Sequence, residues 1–298
     1  MPQPLYKYTT PETAMSILTY GTFRYSSPVL FNDPFDIQTN CVFKGNPELI
    51  HENLVERVKQ FIDTEIIIDG FIEPWKSTID KVRHLSRVSP KENTEKFFRL
   101  LGEYAKSHFA STVEGLAKDV AMVNHVLDRE MRKLRVFCVT DNPANLLMWS
   151  HYASNHKGVM FEIMDFEATE LETYAIDSVK YEEHPYPMYN VDEIVDAMLF
   201  GEKTLEAPDY KKHVYRKYNI WSYEQEWRVA ATVEEDNEQL FLDVPIKEKQ
   251  VRSIVFGCEC LDETVENVMK KGRGLDKNIE YYKAHKLADR YGIGVNKI

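Results

Sequence analysis

The sequence predicts an α+β fold built on a mixed sheet core, and three observations lead there. Both ends of the chain read strand, helix, strand. Residues from about Asn46 to Arg135 read instead as long amphipathic helices with few strand signals, and short β-rich runs resume after them. With 298 residues, 43% of them hydrophobic, the chain can bury a full core. The expected organisation is therefore one α+β domain over residues 1–298, carrying a helical insertion at about 46–135.

Leu5-Tyr-Lys-Tyr8 is a short aromatic strand, and Thr9-Thr-Pro-Glu12 has the form of a helix cap with proline in the first turn. Ala14, Ile17 and Leu18 then fall at helical spacing, Gly21 ends the helix as a C-cap, and Thr22-Phe-Arg-Tyr25 returns as a strand. Two prolines and an Asn-Asp pair in Ser26 to Phe35 favour turns over any ladder. Within the insertion, Leu49 to Ile62, Thr94 to Leu116 and Asp119 to Leu134 are the amphipathic segments. Strands are expected at Val136 to Thr140, Gly158 to Ile163, Tyr174 to Tyr181, Glu226 to Val233, Val251 to Gly257 and Ile279 to Lys283. Helices are expected at Ala144 to Tyr152, Val191 to Phe200, Asp209 to Tyr218 and Asp262 to Lys271.

Composition narrows the function. The net charge of −11, from 37 basic and 48 acidic residues, argues against a duplex nucleic-acid partner, because phosphate neutralisation needs clustered Lys and Arg. The acid excess is uneven: residues 44 to 135 carry 16 basic and 15 acidic side chains, so it lies outside the middle of the chain. No run of about 18 apolar residues suggests a membrane span, and the first residues lack a basic-then-apolar signal layout, so a cytoplasmic protein is expected. Cys41, Cys138, Cys258 and Cys260 are too scattered for a disulfide framework, and Cys258-x-Cys260 lacks zinc-site spacing. Reduced thiols are expected. The 12 glycines form neither a Walker loop nor a dinucleotide fingerprint, and no nucleophile elbow is present.

Three separated clusters have a composition unusual for plain packing: Phe31-Asn-Asp-Pro-Phe35, Met148 to Gly158, and Trp221 to Arg228. In the last, a strand beginning at Glu226 has a period of two, which sends Glu224, Glu226, Arg228 and Ala230 to one face and Trp227, Val229, Ala231 and Val233 to the other. One face is then core and the other a charged ledge. Two carboxylates about 7 Å apart beside a guanidinium can orient a hydroxyl, act as a base or steady a cation. The plainer alternative is a solvated sheet face with a cross-strand salt bridge. In the middle cluster, Trp149 and Tyr152 stand on adjoining helical turns, with His156 and Lys157 in the loop before Gly158. Asn32, Asp33, Trp149, His151 and His156 are candidate cleft residues, although packed aromatics and a surface histidine would give the same pattern. His151 and His156 sit five apart across a helix end with no third ligand signalled, so no metal is expected. Lys7, Arg24, Lys157, Arg216, Lys217 and Arg228 stand near these clusters and can converge on a diphosphate, although isolated charges of this kind are ordinarily surface residues.

At these clusters the chain resembles a bacterial family known as the domain-of-unknown-function 2971 family. The resemblance runs from Leu5-Tyr-Lys-Tyr8 through Gly21 to Phe35 with Phe31-Asn-Asp-Pro-Phe-Asp36, to Met148-Trp-Ser-His-Tyr152 with His156-Lys-Gly158. It continues at Val179-Lys-Tyr181, Lys217 and Trp221 to Arg228. The family name carries no activity, but the resemblance implies a frequent neighbourhood in phage-defence and toxin-like loci, and so a macromolecular acceptor or phage component as partner. More distantly, a first strand with a polar residue, a helix ending in glycine, a strand, and a late strand opening with Glu-x-Glu resemble the ADP-ribosyltransferase fold. That resemblance implies NAD as co-substrate and a site in which Lys7, beside Tyr8, holds the nicotinamide ribose. Thr140 or Tyr152 would supply the middle pocket residue. Glu226 would stabilise the oxocarbenium ion, with Glu224 completing Glu-x-Glu and Arg228 beside them. Lysine at position 7 departs from the Arg or His of that fold and lacks the guanidinium fork or imidazole geometry. The alternative function is a non-catalytic sensor that recognises a nucleotide or phage component through the same cleft. A third reading is wholly structural, with Glu224, Glu226 and Arg228 tied by salt bridges to the loop at Asn32 and Asp33.

Overall fold

The computed structural model describes residues 4–37, 43–44, 50–63, 70–73, 75–88, 95–100, 125, 129, 131–166, 174–187, 189–201, 210–233 and 239–298. The chain opens with β1 (Leu5–Thr9), α1 (Pro11–Tyr20) and β2 (Thr22–Ser26). The α1 boundaries follow from their caps. The Thr10 side chain accepts from the Thr13 amide, and Gly21 takes φ 64, ψ 34, a left-handed conformation that costs glycine little. The elements continue with β3 (Phe43–Lys44), α2 (Ile50–Asp63), α3 (Trp75–Val88), β4 (Leu134–Thr140), α4 (Leu146–His151), β5 (Val159–Ile163), β6 (Tyr174–Ser178), β7 (Lys180–Glu182) and β8 (Tyr189–Asn190). They end with α5 (Val191–Phe200), α6 (Tyr210–Val214), β9 (Arg216–Tyr218), β10 (Glu226–Thr232), β11 (Phe241–Pro245), β12 (Val251–Phe256), α7 (Asp262–Leu275), β13 (Glu280–Lys286) and β14 (Ile293–Lys297).

These elements fall into two compact units. The first comprises Met1–Gln38, Asp128–Pro185 and Lys211–Ile298, and the second Thr39–Leu127 with Tyr186–Tyr210. The first unit contains a 10-stranded sheet in the order β11-β2-β4-β1-β5-β12-β13-β14, with β10 and β6 branching from the other edge of β4. The β12–β13 pair is parallel and the other pairs are antiparallel, so the sheet is mixed and the fold is α+β. The first-unit core includes Leu18, Phe23, Phe137, Phe161, Val229, Ile254 and Val268, which join α1, α7 and one sheet face. Their burial is what the alternating strands and the amphipathic helices supply.

One feature of this sheet makes a pocket. β1 meets β4 only through Tyr6 opposite Thr140, and β2 meets it only through Ser26 opposite Val136. Between those two points β1 and β2 diverge along β4, whose other edge is fully paired with β10. The Cys138 carbonyl, which lies in this gap, accepts from Lys7 Nζ at 2.8 Å in place of a strand partner. A two-stranded parallel pair, β7 with β9, sets Tyr181 opposite Lys217.

In the second unit, α2, α3 and α5 bury Ile50, Leu54, Val58, Ile79, Val82, Ile194, Val195 and Leu199 together. Asn190 and Glu193 form a reciprocal capping box at the start of α5, and β3 and β8 pair in parallel. Among the described residues no helix is long and apolar enough to cross a membrane.

Several expected elements differ. Asp209 to Tyr218 is not one helix: α6 stops at Val214, and Arg216–Tyr218 pairs with β7. Tertiary pairing overrides the helical spacing there. Tyr174 to Tyr181 breaks at Val179, whose amide leaves the ladder to donate to the Glu226 carbonyl at 2.8 Å. Of the segment Thr94 to Leu116, residues 95–100 are helical and the remainder lies outside the described residues; so does most of Asp119 to Leu134, apart from helical residues at its end and Leu134 in β4.

Candidate functional site

The Glu-x-Glu pair owes its geometry to Gln225 rather than to strand alternation. Glu224 ends a 3-10 turn, Asn219–Glu224, and Gln225 turns left-handed at φ 45, ψ 51 before β10 begins at Glu226. That kink is held by the Asn142 side chain, whose amide donates to Gln225 Oε1 at 2.6 Å. The expected charged ledge is also corrected. Arg228 is 0% exposed, Glu224 3% and Glu226 5%, because β10 lies between β4 and β6 and its charged face is covered by Asp36, Lys217 and Tyr152.

Five charges interlock at this point. Arg228 donates through Nε to Glu226 Oε1 at 2.9 Å, through Nη2 to both Asp36 oxygens at 2.8 and 2.6 Å, and through Nη1 to the Val214 carbonyl at 2.6 Å. Lys217 Nζ lies 2.6 Å from Glu224 Oε2, 3.1 Å from Glu226 Oε2 and 3.4 Å from Asp36 Oδ2. Tyr152 Oη donates to Glu224 Oε1 at 2.5 Å, and the Glu226 amide donates to Tyr181 Oη at 2.8 Å. Three carboxylates thus face two cations in a desolvated setting, where pairing must offset the large penalty of burying charge.

The two glutamates are pushed in opposite directions. Burial alone would raise Glu226, but the Arg228 guanidinium and the Lys217 ammonium hold its carboxyl down to about 2. Glu224 is raised by burial, with the Glu226 charge adding to the effect and Lys217 opposing it. Asp36 is raised by burial against the pull of Arg228 and Lys217. Burial would lower Lys217, but the surrounding carboxylates outweigh it and raise the ammonium instead. Burial and then Glu224 push up the Tyr152 hydroxyl; burial and then Glu226 push up the Cys138 thiol, which stays protonated. One fixed carboxylate beside one that titrates higher is the arrangement that acid and base chemistry requires.

Next to this network is a cavity of about 400 Å³, within the range of small-ligand sites. Lys7, Tyr8, Asn32, Tyr152, Glu224 and Glu226 line it, joined by Tyr6, Arg24, Ser26, Leu30, Phe31, Asp36, Val136, Cys138, Val139, Met148 and Lys217. Of the basic residues expected to converge, Lys7, Arg24 and Lys217 reach this wall. Arg24 is held by Asp243 at 2.8 and 2.9 Å, Arg216 is paired with Glu182, and Lys157 is exposed.

Residues 148–229 match the model of a family described as "Protein of unknown function (DUF2971)". The chain is similar to that family over this segment. Tyr152, Lys217, Glu224, Glu226 and Arg228 lie inside it, whereas Lys7, Asp36 and Cys138 complete the site from outside. No curated protein and no solved structure matches the chain.

Other expected site residues lie apart from the lining. Thr140 is fully buried opposite Glu226, and its hydroxyl accepts from the Asn142 amide at 3.1 Å. Trp149 is a core residue, edge-on to Tyr8 at 5.1 Å and stacked on His156 at 6.3 Å. His156 Nε2 meets Ser150 Oγ at 3.2 Å, and His151 Nδ1 meets Tyr223 Oη at 2.9 Å. Asp33 caps its own turn, accepting from the Phe35 amide at 2.9 Å; the aspartate that reaches Arg228 is Asp36, three residues later. Among the described residues no group of three or more His, Cys, Asp or Glu side chains is arranged to hold a metal ion.

Asp36, Cys138 and Tyr181 belong to the site without having been singled out for it, and Lys217 was expected only among the basic residues that could meet a diphosphate. Asp36 and Lys217 were visible as charged residues within the family-like segments, but only the β7–β9 pairing and the turn after Phe31 bring them to Glu226.

Proposed function

We propose that this protein is an ADP-ribosyltransferase-like enzyme that uses NAD as co-substrate. The reading is supported by one observation: Lys7, Tyr152, Glu224 and Glu226, from three separate segments, line a single cavity of about 400 Å³. In the proposed reaction the bond between the ribose anomeric carbon and nicotinamide breaks, and the bonding pair leaves with nicotinamide. Glu226, held in its charged form by Arg228 and Lys217, stabilises the positive charge that develops on the ribose. A nucleophile of the acceptor then bonds to the anomeric carbon, and its proton passes to Glu224, whose raised affinity for protons suits a base. Lys7, which donates to the neutral Cys138 carbonyl, retains donors for a ribose or phosphate oxygen. The acceptor is a macromolecule, with a phage component as one candidate, and the setting is cytoplasmic.

Purified protein incubated with labelled NAD and cell extract tests this directly. Label transfer or nicotinamide release is expected, and neither under varied conditions would sink the reading. A second reading, a non-catalytic sensor of a nucleotide or phage component, is favoured by the complete ion pairing of Glu226. Glu226→Gln separates the two: lost turnover with unchanged NAD affinity supports the enzyme, and lost affinity alone supports the sensor.

A further inference from the structure

We propose that Asp36 is a positioning residue for Glu226: through Arg228 it fixes the carboxylate that faces the cavity, while its own segment supplies the cavity wall at Leu30, Phe31 and Asn32. This rests on the enzymatic reading of the same site. Asp36 is not bonded to Glu226. Both are bonded to Arg228, which clamps Asp36 through Nη2 and Glu226 chiefly through Nε, while Nη1 is taken by the Val214 carbonyl. Each guanidinium nitrogen therefore has an acceptor, and with no exposure to water Arg228 has one orientation available. Removing Asp36 leaves half of that clamp empty and frees Arg228 to rotate away from the Glu226 carboxylate.

The local backbone points the same way. The Asp36 amide donates to the Asp33 carbonyl at 3.1 Å, and the Phe35 amide donates to Asp33 Oδ1 at 2.9 Å, so a tight turn delivers Asp36 inward. Ile37 follows at φ 59, a left-handed conformation that a β-branched residue resists. It is buried against Leu134, Val136, Val214 and Ala230. Strain of this kind persists where surrounding contacts over-determine it, and the Asp36–Arg228 pair is one of those contacts. The charged and titratable groups that face Glu226 are Arg228 and Lys217 as cations, Glu224 and Asp36 as carboxylates, and the protonated Cys138 and Tyr181.

The test follows two readouts in the full-length protein and in Asp36→Asn, with Asp36→Glu as the charge-retaining variant. The first is the pair of Arg228 Nη resonances in ¹⁵N NMR, which stay separate only while the guanidinium is clamped. The second is nicotinamide release, with NAD affinity by calorimetry as its companion. In Asp36→Asn the Nη resonances are expected to merge, turnover to fall about tenfold or more and NAD affinity to stay within about threefold, the pattern of a lost transition-state interaction. Asp36→Glu is expected to restore part of the turnover, and it carries the test if Asp36→Asn fails to fold. Separate resonances with unchanged turnover overturn the proposal, as does a parallel loss of affinity and turnover. If the unaltered protein releases no nicotinamide while Asp36→Asn still merges the resonances, the NAD reading fails and the control of Arg228 by Asp36 stands.

Discussion

Glu224 and Glu226 hold one ammonium between them, with Lys217 Nζ 2.6 Å from the first and 3.1 Å from the second. An uninterrupted strand would place these carboxylates on one face, about 7 Å apart along the backbone. The left-handed Gln225 instead folds Glu224 back over the start of β10, so that both glutamates reach the same cation. Arg228 then distinguishes them, since it bonds Glu226 and not Glu224.

Arg228→Met is expected to destabilise the fold by about 3–5 kcal/mol, because it leaves Asp36 and Glu226 buried beside a single remaining cation. Urea unfolding measures this. Loss of under about 1 kcal/mol would mean that the pairing is nearly neutral.

The pH dependence has a definite sign. Glu226 is held at about 2 against an ordinary 4.5, so its contribution is present above pH 4.5 and is lost as pH falls from there towards 2. Glu224 and Asp36 are raised and act oppositely: their contribution is present below their ordinary values and is lost as pH rises through the raised ones. The difference in stability between the unaltered protein and Glu226→Gln isolates the first effect. It should shrink by on the order of 1–3 kcal/mol between pH 5 and pH 2. A difference that stays flat with pH would show Glu226 titrating normally.

Gly257→Ala should loosen the Tyr152 end of the site. A Cβ at Gly257 would lie 2.0 Å from the His156 carbonyl oxygen, in a loop where Ser154, Asn155 and His156 are all left-handed and which leads from α4 into β5. Overpacking of this kind costs about 1–3 kcal/mol. Thermal melting reads the loss, and an unchanged melting temperature would contradict such tight packing.

Much of this architecture was legible because local signals agreed with tertiary demands. Thr10, Pro11 and Gly21 bound α1 as their cap chemistry requires, and the α5 limits follow from Asn190 and Gly201. Residues 209 to 218 misled because their helical spacing is real, but the Arg216–Tyr218 backbone finds a better partner in β7. β11 and β14 gave little warning: the first ends at Pro245 and the second contains Gly294, both weak strand residues. Glu224, Glu226, Tyr152 and Lys7 could be singled out from composition and resemblance, and all four line the cavity. The misplaced aspartate is instructive. Asp33 and Asp36 share one turn, and only the fold shows that Asp33 spends its carboxylate on that turn while Asp36 meets Arg228.

A crystal structure of Glu226→Gln grown with NAD tests the NAD-enzyme proposal most directly. It should show the nicotinamide ribose in the cavity of about 400 Å³, with its anomeric carbon facing residue 226 and a ribose or phosphate oxygen on Lys7. An empty cavity at saturating NAD, or NAD seated elsewhere on the protein, would contradict it.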